Sequence, residues 1–197
     1  MARMQRIRFG QFLLGILCAA GSHGCMDHRP PAGPAEYLDE RGGVTVTALP
    51  KPVEFVQRAD DPGRGIGRRP TFAYLGPVEW DRAGRFDQGL WLQVAPGDTG
   101  RAGDLRAAGA VHLVVDGTPV ALDPMQAPDT ARAPYRAVVD WGPSAYFALD
   151  ARLLERLASS RHLELTLAGA DGAAIRLAPA GDLDGLRRFA RARAAAN

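Results

Sequence analysis

TFAYLGPVEWDRAGRFDQGLWLQV, residues 71–94, reads as two strands folded back on each other, and it decides the fold class. Phe72 and Tyr74 alternate on the outgoing strand, Leu90, Leu92 and Val94 line one face of the returning strand, and Arg82-Ala83-Gly84 turns the chain between them. Upstream, Val44 and Val46 alternate with Thr45 and Thr47, and Val53-Glu54-Phe55-Val56 follows Pro50-Lys51-Pro52. Prolines so placed imply a sheet edge or a strand switch, because proline has no N–H for a central ladder. Residues 59–70 (ADDPGRGIGRRP) are a loop by composition, and so is the polar stretch 95–109.

The alternation continues downstream. Val111, Leu113 and Val115 share a face, and Asp116-Gly117 supplies the positive-φ pair that a type I′ hairpin turn requires. Tyr135, Ala137, Val139 and Trp141 read as a further alternating strand. Asp150 reads as an N-cap, with Leu149 and Leu154 at staple positions and Leu153, Leu154 and Leu157 on one helical stripe. Leu163, Leu165 and Leu167 alternate, and Asp171-Gly172 turns that strand into Ile175 and Leu177. Asp182 is the expected cap of a second helix through Leu183, Leu186, Phe189 and Ala190. Arg187, Arg188, Arg191 and Arg193 fall toward its C-terminal end, where cations suit the helix dipole. About nine short strands with two short helices predict a mainly β fold (β-rich α+β), an antiparallel sandwich or a half-open barrel.

The N-terminus has a different character. Arg3, Arg6 and Arg8 precede a short apolar run, Phe12–Ala20, and the small-residue stretch Gly21-Ser22-His23-Gly24-Cys25 follows. This is the layout of a cleavable export signal, too short to span a bilayer as a stable helix. Cleavage after Cys18-Ala19-Ala20 or Ala19-Ala20-Gly21 would release a soluble secreted chain. Cleavage before Cys25 would leave that thiol at the new N-terminus. Of the two cysteines, Cys18 lies inside the segment either cut removes, so Cys25 has no partner for an intramolecular disulfide.

In Gly24-Cys25 behind this signal the chain resembles bacterial lipoproteins, with Ser22 and His23 standing where their processing box has Leu and then Ala or Ser. That resemblance implies acylation of Cys25 and anchoring in membrane lipid; three acyl chains hold far more firmly than one. Met26 rather than Asp follows the cysteine, which in such lipoproteins implies the outer membrane, facing the periplasm. Tyr37–Thr47, Val53–Val56 and Val78-Glu79 before Gly84 are also similar to a group of proteobacterial lipoproteins, over about residues 36–94. That second resemblance implies attachment and no particular chemistry. The organisation expected is a signal peptide at 1–24, an acylated N-terminus and Pro-rich tether at 25–36, and one β-rich domain at 37–197.

Removing 24 residues from 197 leaves 173, ample for one core, and the loss of three arginines takes the formal charge from +2 to −1. A near-neutral chain lacks the basic footprint of a nucleic-acid binder.

Candidate chemistry is sparse. Gly63-Arg64-Gly65-Ile66-Gly67 has neither dinucleotide nor Walker spacing, and Pro70 follows where a phosphate loop needs a helix. His28, His112 and His162 have no neighbour at metal-ligand spacing, so no metal or other cofactor is expected. Ser144 sits beside a turn rather than in a nucleophile elbow. Asp39/Glu40, Asp60/Asp61 and Glu79/Asp81 are the carboxylate pairs that an envelope hydrolase would need facing each other across a cleft; as loop and strand-end residues they are explained by turn chemistry. Trp80, Trp91 and Trp141 form a candidate binding surface if their face is open, with Trp80 and Trp91 stacked across the hairpin; a covering layer would instead bury them. The expectation is a membrane-anchored, non-catalytic accessory or binding module with an envelope protein as partner. The alternatives are an envelope hydrolase and an unlipidated secreted domain.

Overall fold

A computed structural model describes residues 33–62, 64, 66–98, 102–130 and 132–195. The signal segment, Cys25 and His28 lie outside the described residues, as does most of the tether.

The fold grows from the hairpin of β4 (Phe72–Arg82) and β5 (Arg85–Ala95), paired residue for residue from Phe72↔Ala95 to Arg82↔Arg85. Ala83 and Gly84 form the two-residue turn with φ of 54° and 86°, and the Asp81 carboxylate accepts the Gly84 N–H at 2.7 Å. This turn fixes which side chains share a face. Leu90, Leu92 and Val94 pair with Pro77, Leu75 and Ala73, so Phe72 and Tyr74 belong to the opposite face, with Trp80 and Trp91.

β2 (Val44–Ala48) and β3 (Val53–Gln57) both run along the other edge of β4, against Val78–Asp81 and Phe72–Leu75 respectively. They form one strand interrupted by Leu49-Pro50-Lys51-Pro52, and the outer neighbour changes across the break. β1 (Ala35–Asp39) pairs with β2, and β11 (Ala174–Pro179) pairs with β3. The prolines therefore mark a strand switch. Pro77 sits opposite the break, in a register that points its ring nitrogen away from β5, where no strand asks it for a hydrogen.

From β11 the sheet continues through β10 (Leu163–Ala168) and β6 (Val111–Val115) to β7 (Thr118–Ala121). From β5 it continues through β9 (Ser144–Ala148) to β8 (Pro124–Met125). The result is a mainly β protein whose antiparallel sheet curls into a half-barrel. Asp116 and Gly117 close β6–β7 with φ of 47° and 82°, the expected type I′ pair.

One face of the curled sheet is aliphatic. Phe55, Leu75, Leu92, Leu113, Leu165 and Leu177 are completely buried on it. Over it lie α1 (Ala151–Ser159) and α2 (Asp184–Ala194), packed against each other. Asp150 caps α1 by accepting the Leu153 N–H at 2.7 Å, and Leu149 and Leu154 are both buried. At α2 the cap departs from expectation. Leu183 holds the N-cap position without a side-chain bond, while Asp182, one residue earlier, accepts the Asp184 N–H at 3.0 Å.

A second departure is the strand expected over 135–141, which does not form; β9 begins only at Ser144. Pro134 and Gly142-Pro143 bracket the segment, and its backbone groups bond a side chain instead of a strand. Gln93 Oε1 accepts the Val138 N–H at 2.7 Å, and Gln93 Nε2 donates to the Val139 carbonyl at 2.7 Å. The segment becomes a strap across the non-helical face.

Candidate functional site

The three tryptophans do not form one exposed patch. Trp80 is 1% and Trp91 4% exposed, while Trp141 is 67% exposed. Nor do Trp80 and Trp91 stack on each other, because the register pairs Trp80 with Asp87 and Trp91 with Gly76. Each meets a tyrosine instead. Trp91 stacks on Tyr135 with centroids 5.2 Å apart, and Trp80 lies tilted against Tyr146 at 5.7 Å. Tyr135 of the strap covers Trp91, whereas Tyr146 beside Trp80 belongs to β9 of the sheet itself.

Tyr135 is the strap's anchor. Its ring lies over Gly76, where a Cβ would fall 2.3 Å from the ring carbons, so only glycine admits it. Its hydroxyl donates to the Pro77 carbonyl at 2.7 Å and accepts the Leu49 N–H at 3.0 Å. The phenol thus bridges the two chains where the strand switch leaves them unladdered. Burial pushes the Tyr135 hydroxyl well above the usual phenol range and that of Tyr146 up to about 12. Farther out, Arg132 lies over the Tyr37 ring at 5.5 Å, and at the other end the Val94 N–H donates to the Pro143 carbonyl at 3.0 Å. Trp141 and Val138 are left exposed on the strap's outer side.

Both acids of two of the carboxylate pairs are engaged by neighbouring groups. Glu79, buried on the helix face, accepts Gln88 Nε2 at 2.8 Å and has Arg193 Nε 3.1 Å away. Asp81 serves the hairpin turn. Arg58 grips Asp60 at 2.9 and 3.0 Å, and that hydrogen bond holds the carboxyl below its usual range. Asp61 accepts Gln57 Nε2 at 2.9 Å and the Arg176 N–H at 3.2 Å, pinning the 59–70 loop to the sheet. Asp39 is buried at the end of β1, and Glu40 is exposed in the following turn. None of these arrangements places two acids across a cleft.

His112 is half-buried on β6 and His162 is exposed before β10. Among the described residues no group of three or more His, Cys, Asp or Glu could hold a metal ion. Ser144 starts β9 exposed, and the 59–70 loop leads into β4, not a helix; its Ile66 is wholly exposed.

What sequence reasoning missed is a groove of about 450 Å³ at the strand switch. Leu49, Pro50, Pro52 and Val53 form one wall, and Ala180 and Gly185 the other, where α2 begins. Lys51, the chain's single lysine, and Glu54, Asp182 and Arg188 line it with charge. The Pro-Lys-Pro signal was visible; its spatial partner more than a hundred residues later was not.

Comparison of the chain with family models, with curated proteins and with solved structures finds no match.

Proposed function

We propose that this chain is a bacterial lipoprotein, anchored in membrane lipid through acylated Cys25, whose β-rich domain is a non-catalytic accessory or binding module of the cell envelope. It faces the periplasm from the outer membrane and meets an envelope protein there. The observation that carries this reading is Cys25 itself: the one thiol left after signal removal, at the residue where a lipoprotein begins. The folded domain is consistent with such a role. Among its buried polar groups, Gln57, Asp61 and Gln93 hold loops and strap to the sheet, and Glu79 accepts a bond across the hairpin from Gln88. Asp60/Asp61 and Glu79/Asp81, the acids offered for the hydrolase alternative, are taken up by turns, loops and the hairpin.

The test is mass spectrometry of the mature N-terminus after expression in a Gram-negative host, with membrane fractionation of the protein and of Cys25→Ser. The expected result is a diacylglyceryl thioether on Cys25 and release of the serine variant from membranes. A mature N-terminus near Gly21, or an unmodified thiol, overturns it.

A further inference from the structure

Among the described residues the sheet ends at three strands, β7, β8 and β1. Pro119 lies in β7 and Pro124 begins β8, whereas β1, Ala35-Glu36-Tyr37-Leu38-Asp39, holds no proline. Which of its backbone groups face outward follows from the hairpin. Arg82 and Arg85 flank the two-residue turn as a hydrogen-bonded pair, so the even residues of β4 bond β5 and the odd ones turn to β2. Thr45 and Thr47, opposite Asp81 and Glu79, therefore bond β4. Val44, Val46 and Ala48 bond the other way, to Asp39, Tyr37 and Ala35 of β1. Glu36 and Leu38 are left with N–H and C=O directed away from the sheet, and no backbone group among the described residues meets them. The Leu38 side chain is 62% exposed, and Glu36 is exposed near it.

We infer that this edge pairs antiparallel with the same edge of a second copy, about a dyad at Tyr37. With Tyr37 opposite the second copy's Tyr37, Glu36 falls opposite Leu38 and Leu38 opposite Glu36, so each outward N–H meets an outward C=O. Other registers lose this match. A one-residue slip sets outward groups against inward ones. A two-residue slip sets Leu38 against Pro34, which has no N–H, or Glu36 against Glu40, which lies past the strand end.

The side chains suit the same register. Leu38 lies beside the methylenes of the Glu36 opposite it, and the two Glu36 carboxylates stand on a diagonal of about 8 Å, close to the screening length at physiological salt. On the other face Tyr37 meets its counterpart as an aromatic cross-strand pair. An unrelated strand would have to bring a sequence suited to this edge; the second copy brings it by symmetry. Five residues a side make a small contact, well short of the ~1,200 Å² that a stable complex buries, so the pair is weak in solution. Confinement in lipid, a step that rests on the anchoring proposed above, raises the effective concentration of copies and strengthens it.

The test uses the full chain with Cys25→Ser and one introduced thiol, Glu36→Cys or Leu38→Cys. Under mild oxidation the two chains mixed are expected to form a disulfide between positions 36 and 38, mapped by peptide mass spectrometry, in excess over either chain oxidised alone. Thr118→Cys, on β7, gives no dimer above random collision. Sedimentation of the Cys25→Ser chain is expected to show a dimer whose fraction rises with concentration. Leu38→Pro removes an outward N–H, leaves the β1–β2 ladder whole, and abolishes that dimer at unchanged melting temperature. The mixed disulfide decides the register even where the proline disturbs β1. Equal yields from mixed and unmixed chains, a dimer that survives Leu38→Pro, or a chain monomeric at every concentration while melting cooperatively overturns the pairing. None of these chains carries an acyl site, so the anchoring and the pairing fail separately.

Discussion

On one side of the β4–β5 hairpin, two helices lie over Leu75, Leu92, Phe55 and Leu165. On the other, a strap without regular structure lies over Gly76 and Trp91. The helices satisfy their own backbones, so their side need supply no hydrogen-bond partners to the backbone of its cover. The strap cannot, and its side is correspondingly polar-aromatic. By register Tyr37, Tyr74 and Tyr146 fall on the strap side, with Tyr135 in the strap itself, while Phe55 and Phe147 occupy the helix side. An irregular cover needs specific hydrogen-bonding partners: Gln93 bonds the strap backbone at Val138 and Val139, and Tyr135 of the strap bonds the Leu49 N–H and the Pro77 carbonyl in return.

This contrast can be broken at either side. Tyr135→Ala is expected to cost about 4 kcal/mol in urea unfolding and Leu165→Ala about 3 kcal/mol. Only the first opens protease sites within 129–143; equal cleavage in both variants would erase the distinction. Tyr135→Phe keeps the stacking but strands the Leu49 N–H and Pro77 carbonyl, for a loss of about 2 kcal/mol. Alkali discriminates by side. The folded state raises the Tyr146 titration to about 12 and that of Tyr135 further. Their stabilisation is complete below the free-phenol value near pH 10 and is lost as pH rises through the folded values. Absorbance near 295 nm should therefore rise together with strap cleavage above about pH 10, and an ordinary tyrosine titration without loss of structure would refute it. Asp150→Ala, which uncaps α1, should cost about 1 kcal/mol in the same unfolding assay. Trp141→Ala should change stability by less than about 0.5 kcal/mol while removing the fluorescence component that iodide quenches.

Those two sides also differ in how far the sequence discloses them. Alternation in Leu163–Leu167 and Val111–Val115, the Asp-Gly turn and the Asp150 cap are local signals, and each appears where expected. The strap answers to partners far along the chain: Gln93 meets Val138, and Tyr135 meets Gly76 and Leu49. Its alternating residues, Tyr135 to Trp141, imitate a strand because nothing local says that the ladder partner is a glutamine side chain. The tryptophans mislead for the same reason. Their alternation correctly separates them from Leu90 and Leu92, yet whether that face is open depends on the strap. The groove, assembled from residues 49–54 and 180–188, has no local signature beyond its two prolines.

A sheet that curls without closing has rims, and rims invite foreign strands. Two of them carry a proline: Pro119 in β7 and Pro124 in β8. Each pairs with its neighbour in a register that directs the ring nitrogen outward, so the missing hydrogen is one an incoming strand would have sought. In a crowded compartment these two rings act as a guard against self-templated aggregation. They leave the barrel free to stay half open.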